Sequence, residues 1–286
     1  MCRVTDLQQA VMARNDDRAE HLRAELAAGG TATVNLLSSP GSGKTALLEA
    51  ELALARERGV AVAALTADLA TENDARRLAR SGVPCKQVLT DGLCHLEADM
   101  LAGHLAGWLP GDTRLLFVEN VGNLVCPASY DLGESLRVVL ASVTEGEDKP
   151  LKYPTAFGTA QLVLVTKEDI AEAVGFDRDA FLTHVRQVNP GVEVAFTSAR
   201  AQLGVGVLLE RALAVADGAA AHRPVMDRRT AAHGHAHDDG HRHEHAHGHE
   251  HGHRDGPEHE HSHGHAHEHG PDQGLSHPHA PAHVRG

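Results

Sequence analysis

Four cysteines among 286 residues are too few for a disulfide framework in a chain of this length. Cys2, Cys85, Cys94 and Cys126 are therefore read as reduced thiols. No apolar run approaches the ~18 residues that a membrane span needs, so no membrane partner is expected. The opening stretch MCRVTDLQQAVMARNDDRAEHLRAEL lacks an apolar secretory core and reads as a charged helix. Basic residues are in deficit: 26 Lys and Arg stand against 39 Asp and Glu, a formal net charge of −13. That balance disfavours nucleic acid or an anionic membrane surface as the main partner, and a cytoplasmic location is expected. Beyond Asp217, Leu, Ile, Val and Phe almost vanish. Such a segment cannot offset its ordering entropy by burial, so it is expected to be disordered. The chain thus divides into an N-terminal helical segment (residues 1–30), a folded domain (31–217) and a tail (218–286).

Within 31–217, short apolar runs alternate with helical spacers. TVNLL, VAVAAL, CKQVL, TRLLFVE, LRVVLASV, AQLVLVT and VEVAFTS read as strands; ALLEAELALARER, DARRLARSG and LEADMLAGHLAGWL have helical spacing. This alternation predicts an α/β domain, a mostly parallel sheet with helices on both faces. Ligands of such sheets gather at the carboxyl ends of the strands.

One strand–helix junction reads SSPGSGKT. Gly41, Ser42 and Gly43 are small enough for backbone N–H groups to close on phosphate oxygens; Lys44 would reach the β and γ phosphates and Thr45 would ligate Mg²⁺. Ser38 stands where the usual phosphate-loop pattern has Gly, and a Gly-rich turn capping a helix is the plain alternative. Asp68 follows the second strand and could complete the Mg²⁺ shell. Glu119 ends the fourth, and Gly122 follows three residues on, where its N–H could meet the γ-phosphate. After the sixth strand comes Thr166-Lys167-Glu168-Asp169, the [N/T]KxD arrangement in which an Asp carboxylate accepts from two guanine donors and the Lys stem covers the base. Ser198 and Ala199, after the seventh strand, suit a base-backing loop. GTP is the expected nucleotide, with Lys44, Asp68 and Glu119 the expected catalytic set.

Cys94-His95 and Cys126 offer two thiolates and an imidazole, a donor set that suits Ni²⁺ or Zn²⁺. Spacing alone favours unliganded buried thiols; against that, Cys126 lies only four residues beyond Gly122, where a metal could feel whether GTP or GDP is bound. Cys85 sits inside an apolar strand and is read as core. Lys149 and Lys152 could approach phosphate, across a dimer, or simply face solvent.

The stretches SSPGSGKT, TENDARRL, CHLEADM, ENVGNLVCPASYDLGE and VTEGEDKPLKYP resemble the HypB family, the hydrogenase nickel-incorporation GTPases of the SIMIBI class. The resemblance runs from Asn35 to Val215. It implies a phosphate-loop GTPase fold in which Ser commonly stands at the position of Ser38. It implies a GTP-dependent homodimer that helps deliver nickel to the [NiFe]-hydrogenase large-subunit precursor, with a HypA-type nickel chaperone as partner. By position it assigns Cys94, His95 and Cys126 to the metal site, and Asp68 and Glu119 to the Mg²⁺ and γ-phosphate region. Many members open with a CxxCGC nickel motif; only Cys2 stands here, so that high-affinity site is expected to be absent or crippled. Many carry their histidine-rich segment before the GTPase domain, whereas here it follows.

That segment holds His233, His235, His237, His241, His243, His245, His247, His249, His251 and His253, then His259, His261, His263, His265, His267 and His269. Alternating imidazoles on a flexible chain can wrap Ni²⁺, Zn²⁺ or Cu²⁺ at neutral pH, so the tail is expected to store nickel. Two other readings compete: a urease-type nickel GTPase, and a nickel storage or detoxification protein with a vestigial nucleotide site. GTP turnover by the purified protein separates the latter from both GTPases.

Overall fold

The computed structural model describes residues 2–68, 73–90 and 92–226; the side chains of residues 2–8, 68 and 73 fall outside that description. The histidine-rich segment, and with it the storage expectation, lies outside the described residues. Seven strands follow in chain order: β1 (Ala32–Ser38), β2 (Val62–Asp68), β3 (Cys85–Leu89), β4 (Leu115–Glu119), β5 (Leu136–Ser142), β6 (Leu162–Thr166) and β7 (Glu193–Phe196). Each falls within or against one of the seven apolar runs. They form one sheet in the order β3-β2-β4-β1-β5-β6-β7, with every pairing parallel.

Successive strand residues face opposite sides of a sheet, and here both sides are covered. Val34 and Leu36 of β1, Phe117 of β4, Val138 and Leu140 of β5 and Leu164 of β6 pack with Leu47, Leu48 and Leu52 of α2 (Lys44–Glu57) and Leu208 and Leu209 of α8. The last helix, α8, spans Val207–Ala216. On the opposite face the cover is split. Val139, Val163 and Val165 meet Phe157 and Phe181, which lie on the short helix α6 (Pro154–Gly158) and on α7 (Arg178–Val188). Leu65, Leu116 and Val118 meet Leu101 and Leu105 of α4 (Ala98–Leu105), and Leu22 and Leu26 of α1 (Cys2–Ala28). Each such fully buried aliphatic or aromatic side chain contributes roughly 1.5–3 kcal/mol. Strands buried on both faces read as continuous apolar runs, which is why β1, β4, β5 and β6 stand out locally; β3 and β7, at the edges of the sheet, are only partly buried.

Between α2 and α8 a carboxylate does the work of a cap. Gly206, the residue before α8, offers no side chain. Glu51 of α2, fully buried, instead accepts from the N–H groups of Gly206 (2.9 Å) and Leu209 (3.1 Å), placing negative charge at the positive end of the helix. Burial raises the Glu51 pKa, and those N–H groups work against the rise.

Residues 222 and 226, past α8, also bond to the domain. Gln161 Nε2 donates to the His222 carbonyl (3.3 Å), His222 Nε2 lies 2.8 Å from Asn189 Oδ1, and the Met226 N–H donates to the Gly158 carbonyl (3.1 Å).

Candidate nucleotide pocket and metal centre

Because the strands are parallel, the segments leaving β1, β2, β4, β6 and β7 share one edge of the sheet. Residues 39–43 turn from β1 into α2, with Gly41 and Gly43 at φ of 72° and 89°. These are left-handed values that cost a side-chain-bearing residue but not Gly. Ser38 still belongs to β1, has no positive φ, and donates through its hydroxyl to the Ser39 carbonyl (2.9 Å). The position therefore makes no demand for Gly, and the departure from the usual pattern is harmless.

A cavity of about 390 Å³ opens above this turn, lined among others by Gly41, Ser42, Gly43, Lys44, Thr45, Asp74, Arg77, Glu119 and Gly122. The Thr45 hydroxyl donates to Glu119 Oε1 (2.6 Å), and Lys44 Nζ stands 3.6 Å from the same oxygen. Glu119 is 2% exposed and its Oε2 has no hydrogen-bond partner. Burial raises its pKa, while Lys44 and Thr45 pull it down. Ser42 Oγ is likewise buried and unpartnered. Unmet polar atoms around two left-handed glycines fit a polyphosphate and a cation. Asp68 closes β2, at the strand end expected of it; its side chain lies outside the described residues. Asp74 and Arg77, on α3 (Asn73–Leu78), also line the cavity, and Arg77 Nε donates to Glu49 Oε2 (2.6 Å). Neither was singled out from sequence, because a helix that starts five residues after its strand has no fixed offset to the strand end.

The segment after β6 clasps the turn. Thr166 Oγ1 donates to the Ser42 carbonyl, and Lys167, at φ 59°, donates through Nζ to the Gly41 carbonyl (2.7 Å). Asp169 is exposed, with Oδ1 accepting from the buried Ser198 hydroxyl (2.6 Å). Ala199 is half-buried beside it. The TKxD segment and the loop after β7 therefore meet.

Cys94 and His95 lie between β3 and α4, and Cys126 lies seven residues past β4. Their donor atoms come together, all within 4.8 Å of one another, with Cys94 Sγ 3.7 Å from His95 Nδ1. His95 is buried, and its Nε2 has no hydrogen-bond partner. The neighbouring Cys126 thiol, then burial, raise the Cys94 pKa. A divalent cation reverses that penalty by favouring thiolates, so the donors fit a soft or borderline metal such as nickel or zinc. The Tyr130 ring stacks on His95, centroids 3.9 Å apart. Cys85 stands apart in β3, packed beside the core, with burial pushing its thiol up to about 11. Lys149 and Lys152, at the two ends of α5 (Lys149–Lys152), are held by Glu145 (2.9 Å) and Asp148 (2.7 Å) respectively.

One loop joins the two sites. Leaving Glu119, it passes Gly122, where a Cβ would lie 3.2 Å from Pro40 Cα, and reaches Cys126 four residues later. The parallel sheet, the glycine turn and the strand-end carboxylate define a phosphate-loop nucleotide-binding protein. Residues 32–196 match the family model described as CobW/HypB/UreG, nucleotide-binding domain. The hydrogenase maturation factor HypB of Azotobacter vinelandii is 45% identical over 205 residues, covering 71% of this chain and 67% of its own. Among solved structures, HypB from Helicobacter pylori in complex with nickel is 37% identical with a TM-score of 0.64, covering 70% of this chain and 95% of its own. HypB from Archaeoglobus fulgidus is 34% identical with a TM-score of 0.66, covering 71% and 99%. The chain belongs to the HypB family of hydrogenase maturation factors.

Proposed function

We propose that this protein is a slow GTPase that carries nickel for [NiFe]-hydrogenase maturation, loading and releasing the metal according to the bound nucleotide. The observation that carries the reading is the short loop from Glu119 past Gly122 to Cys126. It lies against the phosphate turn at Pro40 and bears a metal donor at its far end.

The backbone N–H groups of residues 41–45 and the Lys44 ammonium hold the phosphates. Thr45, Glu119, Asp68 and the cavity-lining Asp74 offer oxygens to Mg²⁺, which supplies charge neutralisation for phosphoryl transfer when bound. Gly122, which lines the cavity, would offer its N–H to the terminal phosphate, and Asp169, whose carboxylate accepts from Ser198, would read guanine. Nickel is the cargo, with Cys94, His95 and Cys126 its gated site; zinc fits the same donors. The histidine tail serves as its store, and the Helicobacter pylori relative with bound nickel supports that cargo. A homodimer formed with GTP, a HypA-type chaperone and the hydrogenase large-subunit precursor are the proposed partners. Turnover should lie near the unassisted ~10⁻⁴ to 10⁻² s⁻¹.

Nickel titration of the full chain, read by the thiolate-to-nickel charge-transfer band to which tail imidazoles do not contribute, tests the coupling. Affinities with GDP and with a non-hydrolysable GTP analogue should differ by about 5- to 150-fold, for a coupling of ~1–3 kcal/mol. Equal affinities, or an unchanged band in Cys126→Ala, would defeat the reading.

A further inference from the structure

The two loops that carry the metal donors are far apart in sequence, and a single side chain outside both of them ties them together. Asn15, on α1 and 6% exposed, accepts at Oδ1 from the Ala98 N–H (2.9 Å). It also donates through Nδ2 to the Asp131 carbonyl (2.8 Å). Ala98 begins α4 three residues after His95, and Glu97 before it provides no side-chain cap, so Asn15 caps that helix from outside. Asp131 directly follows Tyr130, the residue stacked on His95, in the loop that carries Cys126.

The second arm is reinforced. Arg23 Nη2 donates to Asp131 Oδ2 (2.6 Å). Gly133, at φ +75°, lies so close to α1 that a Cβ there would be 2.6 Å from the Ala19 carbonyl oxygen. Helix α1 therefore presses on the Cys126 loop and caps the helix that follows the Cys94–His95 loop. It precedes the residues matched by the family model.

We infer that Asn15 is a positioning residue for the metal centre: by bonding both loops it sets the separation of the Cys94–His95 pair from Cys126. The inference rests on those three residues binding nickel. Partners that orient metal ligands typically change affinity by about 10- to 100-fold when lost, and a loss of that size is expected for Asn15→Ala. In metal-free protein, nucleotide affinity should stay essentially that of the wild type, since Asn15 touches no residue of the phosphate turn.

The test is a nickel titration of the full chain followed at the thiolate-to-nickel charge-transfer band, with binding of a fluorescent GTP analogue measured in parallel. Asn15→Asp is the second variant: it keeps the acceptor for Ala98 but turns an anion toward the Asp131 carbonyl. It should lose affinity too. Arg18→Ala is the control, because Arg18 also joins α1 to α4, through an exposed pair with Asp99 (3.1 Å), without touching either loop. It should titrate like the wild type. A wild-type titration in Asn15→Ala or Asn15→Asp overturns the inference. So does an equal loss in Arg18→Ala, which would make the effect one of general helix packing. Failure of both Asn15 variants to fold overturns it as well, by making the residue a requirement of the fold rather than of the site. A wild-type protein with no such band would instead defeat the nickel reading itself.

Discussion

Replacing Arg137 by Met removes the cation from a buried pair on which the Cys126 loop leans. Arg137 is 9% exposed and Glu134 2%. Arg137 Nε donates to Glu134 Oε1 (2.6 Å), while its other nitrogens donate to the carbonyls of Ala128 (3.1 Å) and Tyr130 (2.8 Å). The substitution strands a buried carboxylate and two carbonyls, and losing one partner of such a pair costs about 3–5 kcal/mol. At ~2–4 °C per kcal/mol for a domain of this size, the melting temperature should fall by roughly 6–20 °C. Acid should shrink the difference. Burial pushes the Glu134 carboxyl up, but Arg137 and the backbone N–H groups outweigh it and hold the pKa at about 2, against 4.5 unfolded. Its stabilising contribution is therefore complete above pH 4.5 and is lost as pH falls toward 2. By pH 3 the wild type should have given up about 2 kcal/mol of it, at ~1.36 kcal/mol per pH unit. Asp131 acts in the opposite sense: burial and Glu134 raise it to about 6, so its contribution grows as pH falls from 6 toward 4. Comparing wild type with Arg137→Met at each pH limits that background. Urea unfolding at pH 7 and pH 3 provides the measurement. A deficit below about 1 kcal/mol at pH 7, far short of the buried-pair range, would refute the assignment. So would a deficit that does not narrow at pH 3.

Asp169→Asn should weaken GTP binding and favour xanthosine triphosphate, whose position-2 carbonyl can accept from the new amide; competition of both nucleotides against a labelled analogue checks this. Truncation after Met226 keeps the hydrogen bonds of His222 and Met226 to the domain and removes all the clustered histidines. GTPase activity should persist while nickel bound per chain, measured by equilibrium dialysis, falls to what the cysteine site holds.

The strands β1, β4, β5 and β6 were legible because each is buried on both faces and so carries its signal within five to seven consecutive residues; the partly buried edge strands β3 and β7 carry a weaker signal. The phosphate turn was legible for a similar reason, since its glycines and Lys44 are neighbours in the chain. The strand order was not, because nothing local says that β4 rather than β2 lies beside β1. Asn15 and Tyr130 were missed because their contacts depend on tertiary packing, and polar residues of these kinds are ordinary on helices and loops; Arg137 stands inside the buried strand β5, but its partners Glu134, Ala128 and Tyr130 are set by the fold of the preceding loop. Asp74 and Arg77 lay in a quoted stretch, yet their reach into the cavity depends on where α3 begins. Lys167 was assigned to the base; its bond to the Gly41 carbonyl comes from a left-handed backbone that Lys seldom adopts and a sequence does not announce.

The strand order also bears on the protein while it is being made. Every residue of β1 is buried, and Val34 to Ser38 pair with Leu136 to Leu140 of β5. A nascent chain ending near residue 130 already holds the phosphate turn and Cys94, His95 and Cys126, but not the strand that closes that side of β1. It would show water a long apolar edge ready to pair with any other extended chain. A truncated product of this kind is therefore destined for aggregation or degradation rather than for partial service, and the central strand withholds a soluble product until the second half of the sheet has been synthesised.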